Sequence, residues 1–104
     1  MSDEAGAGAA AGGTFTPDRR WSVGGALTVD SAAAVLAASE EAALPETGVV
    51  SLSAVQTVDS AGVAVMLSWR RRAAAEGKKL AFVDVPPSLV ALAQLYGVED
   101  LLES

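Results

Sequence analysis

Cysteine and histidine are both absent from the 104 residues. Their absence excludes disulfides, thiolate chemistry, imidazole acid–base catalysis and the usual zinc and haem ligands. No metal or organic cofactor is expected. Positive charge is scarce as well: seven Lys and Arg against 13 Asp and Glu give a formal net charge of -6 at pH 7. That balance repels a phosphate backbone unless the basic residues gather on one face, so nucleic acid is not an expected partner. No segment approaches the roughly 18 uninterrupted apolar residues of a membrane-spanning helix, and direct membrane insertion is not expected either. Met1-Ser2-Asp3-Glu4 places acids where a secretory signal carries Lys or Arg, which predicts a cytoplasmic product. What is abundant is apolar surface, at 51% of residues, enough for one domain with one modest core.

Residues 5–13 are almost entirely Ala and Gly, with little to bury and a high entropic cost of ordering, so residues 1–14 read as a tail and 15–104 as a single domain. Around Gly24-Gly25, Trp21-Ser22-Val23 and Ala26-Leu27-Thr28-Val29 alternate in character. Either a tight hairpin or two strand pieces meeting at a bulge satisfies that pattern. Asp30 or Ser31 can cap an Ala-rich helix over 32–43 that stops before Pro45, and Val49 to Ser53 reads as a strand of alternating burial. From Val63, the residues Met66, Leu67 and Ala74 recur at helical spacing up to Gly77; Lys79–Val85 follows as an apolar strand, and Pro87 opens a last helix with a stripe of Leu89, Leu92, Ala93 and Tyr96. Strand, helix, strand, helix predicts a parallel crossover, with the first half adding antiparallel pairing to the same sheet.

Between the third strand and the second helix stands Thr57-Val58-Asp59-Ser60-Ala61-Gly62. A hydroxyl there meets unpaired backbone N–H groups and the positive end of the helix dipole. Asp59 and Ser60 can serve simply as caps, worth about 1 kcal/mol, and capping is compatible with display to a partner. Gly62 suits close packing or turn geometry. A phosphate-loop pattern is missing.

The order of elements and the run Leu52-Ser53-Ala54-Val55-Gln56-Thr57-Val58-Asp59-Ser60-Ala61-Gly62, with Leu92-Ala93-Gln94-Leu95-Tyr96 near the end, resemble the STAS domain of sulfate transporters and anti-sigma factor antagonists. Among STAS domains the details are most similar to the MlaB group. The resemblance implies an α/β fold with about four strands in a mixed sheet and two to three main helices packed largely on one face. It further implies a non-catalytic subunit that binds the ATPase of a phospholipid ABC transport system, supports its assembly and activity in maintaining outer-membrane lipid asymmetry, and reaches the inner membrane only through that partner. The alternative within STAS domains is an anti-sigma factor antagonist, switched by serine phosphorylation and bound to an anti-sigma kinase. The switch serine of that group falls on Ala61, which has no hydroxyl, whereas Ser60 matches the Ser or Thr that the transporter group places against its ATPase; a phosphorylation site displaced to Ser60 is the residual form of the alternative.

The expected partner-binding set is therefore Asp59, Ser60, Ala61, Val63, Leu67, Trp69 and Arg70. Trp69 lies off the stripe of Val63, Met66 and Leu67, which suits either an interface or packing against the first strand or first helix. Arg70-Arg71-Arg72 complements a helix C-terminus; at about 100° per residue, at least one of the three sides with any surface near Val63 and Leu67. No catalytic residues are expected. Ser and Thr hydroxyls need a neighbouring base, and only carboxylates and lysines are available, none in a recognisable constellation.

Overall fold

The computed structural model describes residues 13–98 and 100. The reading of residues 1–12 as a tail and the acidic Glu99 and Glu103 lie outside that range. Four strands and three helices alternate: β1 (Gly13–Thr16), β2 (Trp21–Leu27), α1 (Ala32–Glu40), β3 (Val49–Val58), α2 (Ser60–Ala75), β4 (Ala81–Val83) and α3 (Pro87–Leu95). β1 begins at Gly13, two residues before Phe15, the position from which the sequence predicts the domain.

The sheet runs in the order β1-β2-β3-β4. β1 is antiparallel to β2, while β2–β3 and β3–β4 are parallel, as expected for a mixed α/β sheet. Both crossovers step across the sheet in the same direction, so a common hand puts α1 and α2 on one face. The opposite face is left to short side chains such as the exposed Thr14, Thr16 and Ala54.

Of the two possibilities at Gly24-Gly25, neither a hairpin nor a break occurs in β2 itself. The strand is continuous, and the irregularity belongs to its partner, since Ser22 pairs Ser51 but Gly24 pairs Ala54, and Gly25 pairs Val55 but Ala26 pairs Thr57. Each shift adds one residue to β3, which bends and twists the strand and lets it run on to Val58, well past Ser53.

The core gathers Trp21, Val23 and Leu27 of β2, Val50 and Leu52 of β3, Phe82 of β4 and the inner faces of the helices. Its centre is aromatic. Phe15 and Trp21 meet edge-on with centroids 4.8 Å apart, and Trp21 and Trp69 do the same at 5.5 Å. The Trp69 indole N–H donates to Ser39 Oγ (2.8 Å), whose hydroxyl donates to the Leu36 carbonyl (2.7 Å), so the buried ring is satisfied at its polar edge. This places Trp69 among the core residues, at 1% exposure, and removes it from the expected partner-binding set. Val63 goes with it at 4% exposure.

The inward face of α2 is Gly62, Val65, Met66, Trp69 and Ala73, with Val63 at its margin. It is turned about a third of a circle from a stripe through Val63, Leu67 and Ala74. Arg72 lies on the side facing α1: its guanidinium donates to the carbonyls of Ser39 (2.9 Å) and Ala42 (2.7 Å). It sits 5.8 Å from the Trp21 ring centroid and pairs with Glu76. A cation thus meets carbonyls in and just after the last turn of α1, where the dipole favours it, and α1 stops at Glu40 instead of running to Ala43.

At the far edge, α3 starts on Pro87 as expected. Only Leu89 and Ala93 are fully buried; Tyr96 is the C-cap, outside the helix, and is 51% exposed, so the expected stripe ends one residue too soon to hold it.

Candidate functional site

Asp59 organises the entrance to α2 with both oxygens of its carboxylate. Oδ1 accepts the Ala61 N–H (2.8 Å), capping the helix, and Oδ2 accepts the Val29 N–H (3.0 Å) from the turn that links β2 to α1. The cap expected from sequence is present. Its second bond was not legible there, because the two residues are 30 positions apart and meet only when β2 and β3 lie side by side.

The partner turn is fixed from beneath. Ser31, fully buried, donates its hydroxyl to the Ala26 carbonyl (2.7 Å) and accepts the Thr28 N–H (3.1 Å). Ser31, and not Asp30, stands at the N-cap of α1, yet its side chain bonds back into the turn instead of capping the helix. Locked from both sides, the turn presents Val29 at 71% exposure. An apolar β-branched side chain held in water beside a helix entrance is a candidate contact residue that sequence reading missed. Its only signal is its place as the last residue of an alternating run, two residues past the end of β2.

Ser60, the first residue of α2, is exposed, and Ala61 is half-buried. At about 100° per residue, Ser60, Ala64, Leu67, Arg71 and Ala74 fall within one outward sector of α2; Ser60, Ala64, Arg71 and Ala74 are exposed and Leu67 is half-buried. Of the expected set, Asp59, Ser60, Ala61 and Leu67 are therefore gathered on one side of the molecule, with Val29 added. Val63 and Trp69 belong to the core. Arg70 is half-buried, its Nη1 donating to the Asp100 carbonyl (3.0 Å), and Arg71 is the arginine that shares the Ser60 face.

Gly62 sets how closely this entrance approaches β2. A Cβ at that position would lie 2.9 Å from the Leu27 carbonyl oxygen, with backbone on both sides of the contact. Gly62→Ala is expected to cost about 1–3 kcal/mol through overpacking, which outweighs the helix propensity alanine returns, at most about 1 kcal/mol. A thermal melt followed by circular dichroism checks this: the midpoint falls, whereas an exposed helix glycine would give a rise.

Chemically, the site offers one hydroxyl, one carboxylate already occupied by two backbone donors, and small or apolar side chains. Among the described residues no three Asp or Glu side chains gather as metal ligands, and no helix is long and apolar enough to cross a membrane. A family model described as the MlaB STAS domain matches residues 18–103. No individually curated protein matches the chain.

Proposed function

The chain belongs to the MlaB-type STAS domain family, and from that membership we propose that it is a non-catalytic subunit that docks on the ATPase of a lipid-transporting ABC system. It acts in the cytoplasm and meets the membrane only through that assembly. The observation that carries this reading is the surface at the α2 entrance: Ser60 exposed and Val29 exposed, on two segments tied together by the Asp59 carboxylate. A rigid surface of this kind loses little entropy on association.

Docking supports the ATPase by mass action. A subunit that binds only the folded, assembled form shifts the population toward it, so the chain contributes assembly and not a reaction step.

The test is co-purification of the tagged chain with the ATPase of the lipid transport system from the same source, with Val29→Asp as the surface variant. Val29 donates only its backbone N–H to Asp59, so the substitution leaves the tie in place while placing a charge in the contact. Binding is expected to weaken by at least tenfold, as titrated by calorimetry, with an unchanged melting midpoint. An ATPase that ignores the parent chain, or binds the variant equally well, overturns the assignment of this surface.

A further inference from the structure

We propose that the trough along the C-terminal half of α2 receives an acidic, partly apolar segment of the docked partner protein. The inference takes from the docking reading only the partner's identity. Five of the seven basic residues of this acidic chain fall between positions 70 and 79. Arg72 is consumed by the α1 carbonyls and Glu76. Arg70, Arg71, Lys78 and Lys79 are left to line a surface, and they do so in a concave place.

One groove of about 370 Å³ lies between Leu67, Arg70, Arg71, Ala74, Val98 and Asp100. A second of about 320 Å³ is lined by Arg70, Ala73, Ala74, Lys78, Lys79 and Leu80. They share Arg70 and Ala74 and so adjoin, as one trough with an apolar floor and walls of Arg and Lys interrupted by Asp100. From Leu67 to its last residue, Ala75, it follows α2 for about 12 Å at 1.5 Å per residue, long enough for roughly four extended residues.

The ordinary explanation of such cations, complementing a helix C-terminus, covers only part of the set. The last carbonyls of α2 are already met by backbone N–H groups of Glu76, Gly77 and Lys78, and Arg71 lies a full turn upstream on the Ser60 face. Arg70 shows the chemistry the walls accept, since its guanidinium takes a carbonyl oxygen of the chain's own C-terminal segment. A carboxylate is a stronger acceptor for the same group. A narrow trough in a protein of net charge -6 fits a protein segment better than an anionic lipid surface, which repels the molecule as a whole. The trough shares Leu67, Arg71 and Ala74 with the Ser60 face, so a partner seated on Ser60 can continue into it.

The experiment uses the full chain, isotope-labelled for NMR, and three probes: a synthetic peptide of Leu-Glu-Glu repeats, its Leu-Gln-Gln counterpart, and vesicles containing phosphatidylglycerol. The acidic peptide is expected to shift the amides of Leu67, Arg70, Arg71, Ala74 and Leu80, and the glutamine peptide to leave them in place. The double variant Arg71→Glu/Lys79→Glu, at two exposed positions, should weaken that binding at least tenfold with an unchanged melting midpoint. Equal shifts from both peptides, shifts elsewhere, or binding of the vesicles without the acidic peptide overturn the inference. Against the ATPase, the double variant is expected to lose at least tenfold in affinity and to flatten its salt dependence. An ATPase that binds it as tightly as the parent, with the same salt dependence, overturns the trough while leaving docking at Ser60 intact; acidic-peptide binding in a chain that fails to bind the ATPase does the reverse.

Discussion

Trp69→Ala is expected to destabilise the domain by about 3–5 kcal/mol, the range for removing a large aromatic from a core that cannot fully collapse. Two further losses point the same way. The ring packs edge-on against Trp21 and tilted against Phe15, 6.1 Å between centroids, and aromatic pairs contribute about 0.5–1.5 kcal/mol beyond their buried area. Its N–H also donates to the buried Ser39 hydroxyl, which then keeps only its own bond to the Leu36 carbonyl. Domains of this size hold about 5–15 kcal/mol in all, so the variant should unfold at a midpoint lower by on the order of 20 °C, or fail to accumulate. Trp69→Phe keeps most of the ring volume and loses the donor, and should cost less than half as much. Denaturant titration of both variants checks the order; an alanine variant as stable as the parent would return Trp69 to the surface.

Trp69 also shows where sequence reading reached and where it stopped. Strand–helix alternation, the Asp59 cap, Pro87 at the head of α3 and Gly77 after α2 are local signals, each carried by one or two residues acting on their own backbone, and each is found in the structure. The inward face of α2 is not local. Ala64, Ala73, Ala74 and Ala75 are equally compatible with core and solvent, so a helix rich in alanine leaves its burial direction to whatever packs against it. Here α1 supplies Ser39 as a partner for the indole, turning the helix toward Trp69 and carrying Leu67 outward. The length of β3 was hidden for a related reason. Two added residues break the alternation of period two on which a strand is recognised, while pairing with β2 still carries the strand to Val58. Val29 became visible only through its bond to Asp59, a contact between segments that periodicity cannot see.

Ser60→Asp is expected to abolish association with the ATPase while leaving the domain folded, and the two effects separate cleanly because of where the residue sits. Ser60 is exposed at the first position of α2. A carboxylate in the first turn gains about 0.3–1 kcal/mol from the helix dipole, offset by its neighbour Asp59, so the melting midpoint should move by no more than a few degrees. In a packed interface the same carboxylate is stripped of water without a partner, a penalty of about 3 kcal/mol or more, equivalent to at least a hundredfold in affinity. Ser60→Ala removes the hydroxyl without adding charge and should cost less than tenfold. That ordering, near-parent for alanine and lost for aspartate at equal stability, is what a sterically and electrically closed contact produces. A hydroxyl that served only as a helix cap would give the opposite, with alanine lowering the melting midpoint and aspartate binding the ATPase unimpaired. If instead intact protein from growing cells carries phosphate on Ser60, the aspartate variant imitates a regulated state. The same loss of binding would then mark a switch built on a residue where Ala61, its neighbour, has no hydroxyl to modify.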